Sequence, residues 1–374
     1  MKIRAAVIRQ MGLPQPYARS KPLAIEEVEL AGPGEREVLV QIKAAGLCHS
    51  DLSTINGDRP RQMPMVLGHE AAGVVVECGP GVSDLKAGDH VVMVFAPSCG
   101  ECIACKEGHP GRCEPGQKAN GAGTLLGGAI RLSQKGQTVY HHVGVSAFAE
   151  YCVVHRGSLV KIDDRLPFDE AALFGCAVLT GVGAALNTAR VFPGARVAVV
   201  GLGGVGLNAL FGAQMSGAAQ IVAIDVHDDK LQLAKKLGAT DAVNAKDPDA
   251  IQKVKELTGG GVDFGFEMAG SVQAMELAYR VTRRGGTTVT AGLPHPDARW
   301  PLQHVNLTAE ERTIKGSYVG SCVPPRDMPR YIELYRKGKL PVNTLMSDHI
   351  ALERINEGFD KLASGHTVRQ IVMI

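Results

Sequence analysis

The stretch ARVAVVGLGGVGLNALFGAQMSGAAQIVAIDVHDDK, residues 195–230, leaves its backbone little choice. The apolar run VAVVG reads as a buried strand, and Gly201, Gly203 and Gly206 follow it in a GxGxxG pattern. A helical segment comes next, then a second apolar strand that closes on Asp225, about twenty residues past the glycines. Strand, glycine turn, helix, strand and acid in this register describe a βαβ unit that binds a dinucleotide. The glycines permit the turn, let the backbone approach a pyrophosphate, and let the helix pack closely, while the helix N-terminus favours phosphate charge. Gly204 and Val205 belong to the same cofactor-binding turn. Asp225 is placed to accept from the adenosine ribose 2′-hydroxyl and to repel a 2′-phosphate, which predicts NAD over NADP.

The same unit accounts for the uncharged stretch from Val197 to Ile224, which is long enough to imitate a membrane span but carries glycines at 201, 203, 204, 206, 212 and 217. No membrane association is expected. Downstream, GGVDFGFEMAG (260–270) and GGTTVTAGLP (285–294) read as further buried strands separated by the helical SVQAMELAYRVTR, so the parallel sheet continues. TRRGG at 282–286 reads as a helix end with its glycine cap.

One core rarely grows past roughly 250 to 300 residues, so 374 residues imply two domains. A formal net charge of +2 with no long basic run excludes a continuous phosphate-binding stripe, and with it nucleic acid as a partner. The opening MKIRAAVIRQ lacks the apolar core of a signal peptide, so the expectation is a cytoplasmic protein with reduced cysteines.

Four of the nine cysteines fall in SCGECIACKEGHPGRCE, residues 98–114. Redox exchange needs two thiols and a nucleophile needs one. Cys99, Cys102, Cys105 and Cys113 supply four, enough to fill a tetrahedral zinc site with no open position, the mark of a structural ion. The competing reading is a disulfide-stapled loop, which reduced thiols disfavour.

A second set is dispersed. AAGLCHSDL (44–52) follows the strand-like EVLVQIKAAG, MVLGHEAAGVVVECG (65–79) sets His69 and Glu70 between apolar runs, and FGCAVLTGVGAAL (174–186) puts Cys176 at a helix start. Singly, a free cysteine is more often a small buried hydrophobe, and a lone histidine a satisfied core residue. Together, Cys48, His69 and Cys176 would be three ligands with one position vacant, which is a catalytic arrangement. Glu70 needs a partner if buried, because an unpaired buried carboxylate is costly.

Gly68-His69-Glu70, the four-cysteine lobe, GCAVLTG and VGLGGVG, in this order and nearly end to end, closely resemble the zinc-dependent medium-chain alcohol dehydrogenases of the long-loop, dimeric, liver-type branch. The resemblance implies a GroES-like, mainly-β catalytic domain with a zinc-binding lobe (1–177 and 321–374) and a Rossmann, doubly wound parallel-sheet NAD-binding domain (178–320). It implies Cys48, His69 and Cys176 as ligands of a catalytic zinc, the four thiols as ligands of a structural one, and Glu70 behind the metal. Asp51 matches the acid that orients the ligand histidine, and Ser50 the hydroxyl that takes the alcohol's proton. His49 and Arg369 match contacts to the cofactor pyrophosphate, Lys230 the lysine beside the adenosine ribose, and Phe95 an aromatic wall of the substrate pocket. The long segment from Cys113 to His141 marks the dimeric branch, with the edge strand near Arg312 to Ser317 pairing across a two-fold axis.

Two departures bear on the reaction. Liver-type members carry a histidine three residues past the serine, where this chain has Ser53, so the outer proton route differs. Asp58, Arg59 and Gln117 lack the glutathione-binding pattern of the formaldehyde-oxidising class. The expected activity is reversible hydride transfer between NAD and a primary or secondary alcohol, medium-chain or aromatic, since Val143 and Gly57 leave room in the pocket. A zinc-free quinone or enoyl reductase has no use for Cys48, His69 and Cys176 together, and a polyol dehydrogenase typically has glutamate where this chain has Cys176. A non-catalytic NAD- and zinc-binding protein has no use for Ser50, Asp51 and Glu70.

Overall fold

The strands Arg196–Val200, Gln220–Asp225, Asp241–Asn244, Val262–Glu267, Thr282–Thr290 and Thr313–Gly316 all run parallel, and side by side they stand third, second, first, fourth, fifth, sixth. That is the doubly wound dinucleotide-binding order, with its switch point between the first and fourth strands. In this computed structural model, which describes residues 1–374, the sheet belongs to the unit Ala177–Cys322; the other unit joins Met1–Cys176 to Val323–Ile374. Strands covered on both faces must be apolar throughout rather than alternating. Ala198, Val200, Val222 and Ile224 accordingly lie buried with Val254 and Ala278 from neighbouring helices. The uncharged stretch from Val197 to Ile224 is therefore strand, helix and strand, and no single helix in the chain is long and apolar enough to cross a membrane.

The segment TRRGG departs from its expectation. The helix Val272–Val281 ends without a glycine, at Thr282 in extended backbone, and Thr282–Thr290 is a strand. Thr282 is fully buried and its hydroxyl donates to the Ala278 carbonyl, while Arg283 pairs at 2.7 Å with Asp263 on the neighbouring strand. A buried β-branched residue and a cross-strand ion pair thus pin to the sheet a segment that reads locally as a helix terminus.

In the first unit, Lys2–Ile8, Leu23–Leu30, Leu132–Gln134, Gln137–His141 and Met65–Val66 close into a barrel. A seven-stranded sheet accompanies it, organised around Glu37–Gly46. One edge of that strand pairs with Ala71–Cys78; along the other lie first Tyr151–His155 and then Arg369–Met373. This pairing draws three distant segments to one end of the strand. Gly46 N–H donates to the Glu70 carbonyl at 2.7 Å, and Leu47 N–H to the Gln370 carbonyl at 3.0 Å. Beneath them Ile42, Leu47, Leu67, Phe148 and Phe359 form the core, the two phenylalanine rings edge to face at 6.0 Å.

His141, at the end of a barrel strand, is completely buried and accepts Arg131 N–H through Nε2 at 3.0 Å. Burial, with Arg131 nearby, pushes its pKa down to about 3. The folded state therefore keeps it neutral where the unfolded chain, titrating near 6.5, is already protonated. Its contribution to stability is whole above pH 6.5 and is lost as pH falls toward 3, at up to about 1.36 kcal/mol per pH unit. Urea midpoints measured from pH 6 to 4 should fall less steeply for His141→Gln than for the wild type; parallel slopes would remove this residue from the acid response.

Candidate metal centre and dinucleotide site

Cys48 caps the helix His49–Ile55, Cys176 precedes the helix Ala177–Gly183, and His69 sits in the connection between Met65–Val66 and Ala71–Cys78. Gly68 makes that connection possible: at φ +94° its backbone lies where a Cβ would come within 2.5 Å of Phe148 N. The fold brings one ligand atom from each of Cys48, His69 and Cys176 within 4.8 Å of the others, all three side chains buried. His69 Nδ1 lies 3.1 Å from Asp51, which is wholly buried and also accepts Gly68 N–H at 3.1 Å. Its Nε2 is buried without any protein partner. A buried nitrogen lone pair left open beside two thiols is the donor set of a zinc ion with room for a fourth ligand.

The charges around the cluster are strongly coupled. The neighbouring Cys176 pulls the Cys48 thiol well below its ordinary range, and Cys48 in turn pushes Cys176 well above it; a bound dication would favour both as thiolates. Burial works against the Asp51 carboxylate, but His69 and His142 outweigh it and hold the group at about 2. Burial raises Glu70 to about 7 against the pull of Arg369, whose guanidinium stands 3.4 Å away. Gly46 makes room for this acid, since a Cβ there would meet the Glu70 carboxyl at 3.0 Å. Arg369 is itself buried, donates to the Leu47 carbonyl at 2.8 Å, and keeps a buried Nε with no partner. Phe95 packs edge-on to His69 with centroids 5.4 Å apart. Ser50 is partly buried and His49 exposed, both in the first turn of the helix that follows Cys48.

Cys99, Cys102, Cys105 and Cys113 also gather their sulfurs within 4.8 Å. Backbone N–H groups point at them: Cys99 and Gly116 donate to Cys113, and Glu101 and Cys102 to Cys99, at 3.3–3.4 Å. The Cys105 N–H helps lower the Cys102 thiol to about 7. Such donors favour thiolates, the form that ligates metal. Cys78, Cys152 and Cys322 lie outside both clusters.

On the other unit, Gly201 follows the first strand at φ +92° and packs so closely that a Cβ would lie 2.8 Å from Ala269 N. Gly206 has no room either, a Cβ there falling 1.8 Å from the Gly201 carbonyl oxygen. Gly203 is different, because its Cβ would meet nothing within 4 Å. That open face lies at the N-cap of the 12-residue helix Gly204–Met215, which carries Gly204, Val205 and Gly206 in its first turn, so a pyrophosphate could reach bare backbone at a helix N-terminus. Asp225 ends the neighbouring strand and accepts Leu202 N–H at 2.7 Å and His227 N–H at 3.0 Å, which holds its carboxylate beside the glycine turn. Lys230 lies in the helix Asp228–Lys236 that follows.

One residue at the metal cluster escaped the sequence reading. His142 Nδ1 stands 3.2 Å from Asp51, and its ring meets His69 edge-on at 5.6 Å. The only local signal is the His-His pair at the end of a barrel strand, which says nothing of Asp51.

Residues 204–337 match the zinc-binding dehydrogenase family, and residues 34–164 the alcohol dehydrogenase GroES-like domain. The chain belongs to the zinc-dependent alcohol dehydrogenases and is an oxidoreductase of that family, with the α/β architecture its motifs implied. It is 42% identical over 362 residues to alcohol dehydrogenase class-3 of Drosophila melanogaster, covering 95% of each chain. It is 39% identical over 376 residues to S-(hydroxymethyl)glutathione dehydrogenase of Synechocystis, covering 100% of both. The crystal structure of benzyl alcohol dehydrogenase from Acinetobacter calcoaceticus superposes with a TM-score of 0.93 at 32% identity, over 100% of this chain and 99% of that one.

Proposed function

We propose that this chain is a NAD-dependent alcohol dehydrogenase that interconverts medium-chain or aromatic alcohols with their carbonyl products. Two zinc ions per chain would serve it, one on Cys48, His69 and Cys176 and one on the four-thiol lobe. The observation that carries the reading is the buried, unpartnered His69 Nε2 beside two buried thiols. When bound, zinc supplies Lewis-acid polarisation of a hydroxyl or carbonyl oxygen, and NAD supplies the hydride acceptor.

The chain's own groups do the rest. Asp51 orients His69 and fixes the tautomer that leaves Nε2 free. Ser50 accepts the hydroxyl proton, and with Ser53 beyond it the route onward runs through water. Phe95 lends an apolar wall to an alkyl or aromatic substrate. Gly201, Gly203, Gly204, Val205 and Gly206 cradle the pyrophosphate, and Asp225 and Lys230 hold the adenosine ribose.

We place the enzyme in the cytoplasm as a homodimer. No cysteine forms a disulfide in the structure, as thiol metal sites require. The strand Thr313–Gly316 is a sheet edge with mostly exposed residues, and such an edge favours pairing with a second copy.

The test is NADH formation with benzyl alcohol, aliphatic alcohols, a polyol and S-(hydroxymethyl)glutathione. Benzyl or medium-chain alcohols should give the highest kcat/KM, with NAD preferred over NADP. Asp225→Asn should shrink the cofactor preference about tenfold or more by removing the like charge opposite a 2′-phosphate. Turnover confined to S-(hydroxymethyl)glutathione or to the polyol would overturn the substrate assignment.

A further inference from the structure

Asp51 has no solvent exposure; two donors reach its carboxylate, Gly68 N–H at 3.1 Å and His69 Nδ1 at 3.1 Å, and a third buried nitrogen, His142 Nδ1, stands 3.2 Å away with no hydrogen-bond partner of its own. A buried carboxylate depends on such donors, because each unfilled lone pair retains its desolvation cost. Both donors come from residues 68 and 69, on the connection whose position Asp51 sets. His142 alone arrives from a different part of the fold, the exit of the barrel strand Gln137–His141.

His142 is itself fixed. It is 2% exposed, its backbone N–H donates to Ser146 Oγ at 2.9 Å, and its ring stands edge-on to His69, 74° from coplanar. The carboxylate is thus flanked on two sides, by the imidazole it orients and by a second imidazole anchored elsewhere.

We infer that His142 is a positioning residue of the metal centre: its buried Nδ1, 3.2 Å from Asp51 and with no other partner, serves as a further donor to the carboxylate that aims His69, and so governs how tightly Cys48, His69 and Cys176 retain their ion. The inference rests on reading those three residues as a metal site. Direct outer partners of metal ligands are worth about 10- to 100-fold in metal affinity. His142 acts one bond further out, so an effect near the lower end, about 10-fold, is expected.

Two substitutions separate donation from packing. His142→Phe keeps an aromatic ring against His69 but removes the donor. His142→Asn sets an amide N–H where Nδ1 stood. Metal content per chain, the rate of zinc release to a chromogenic chelator, and the visible spectrum of the cobalt-substituted protein are measured for both and for the wild type. The expected result is two ions per wild-type chain, about 10-fold faster release of one of them from the Phe variant with a shifted cobalt spectrum, and wild-type values for the Asn variant. Wild-type rates and spectra in both variants would overturn the inference while leaving the metal site standing. Equal perturbation in both would reduce His142 to packing and overturn it as well. Three ions per wild-type chain would make Asp51, His69 and His142 a metal site in their own right, against the inference. A wild-type chain with one ion, held by the four thiols, would overturn both this inference and the reading it rests on.

Discussion

Cys176→Ser should leave a folded chain that holds one zinc ion instead of two and turns over at least about 1000-fold more slowly. The magnitude follows from what a Lewis acid contributes, several kcal/mol of charge stabilisation, at tenfold in rate for each 1.36 kcal/mol. The location follows from the geometry. Cys176 is one of three buried residues whose ligand atoms lie within 4.8 Å, and His69 Nε2 finds no substitute partner in the protein. A serine hydroxyl is nearly isosteric but does not ionise near neutral pH, so the cluster keeps one thiol and one imidazole, too few for a stable site. The four-thiol lobe shares no residue with this cluster and should keep its ion. Metal analysis and steady-state kinetics on one preparation decide the matter. Wild-type turnover with one ion per chain would sink the assignment.

Gly201→Ala and Gly203→Ala should both weaken NADH binding, about 100-fold or more for the first, but for separable reasons. At Gly201 the left-handed φ of +92° costs an alanine about 1–2 kcal/mol. The new methyl would also press on the backbone of Ala269, so the turn must move even without a ligand. At Gly203 the added methyl has nothing within 4 Å, so the thermal midpoint should stay near that of the wild type while the space a pyrophosphate needs is filled. Fluorescence titration with NADH, beside thermal melts and metal analysis, distinguishes the cases. Zinc content should be unchanged in both, because every thiol of the two metal clusters lies in the unit formed by Met1–Cys176 with Val323–Ile374. A Gly203→Ala protein that binds NADH as tightly as the wild type would remove the glycine turn from the cofactor site.

What could be read from the chain is what short-range chemistry determines. The four-thiol lobe spans 15 residues, Cys99 to Cys113, and its spacing alone implies closure on an ion. The dinucleotide turn is equally local, and the alternation of strands and helices around it carries the parallel sheet. TRRGG misleads because a basic residue followed by Gly-Gly resembles a helix end, whereas the deciding facts are the burial of Thr282 and the pairing of Arg283 with Asp263. His142 is invisible for a different reason. Barrel closure carries it to Asp51, and nothing near residue 142 in the chain encodes that approach. Arg369 lies between these cases: the resemblance implied a pyrophosphate contact, and strand pairing adds a neighbour, Glu70, that no local pattern could supply.

The strand Arg369–Met373 pairs with Glu37–Gly46 at the end that carries Cys48. On the ribosome, the amino-terminal half must therefore wait for residues 369–373 to emerge before its central sheet gains that neighbour. Until then the thiols at 48 and 176 are nascent-chain cysteines without the arginine that later stands beside Glu70. Biosynthesis thus places completion of the first unit's central sheet after synthesis of the inserted Ala177–Cys322 unit, an order set by chain connectivity alone.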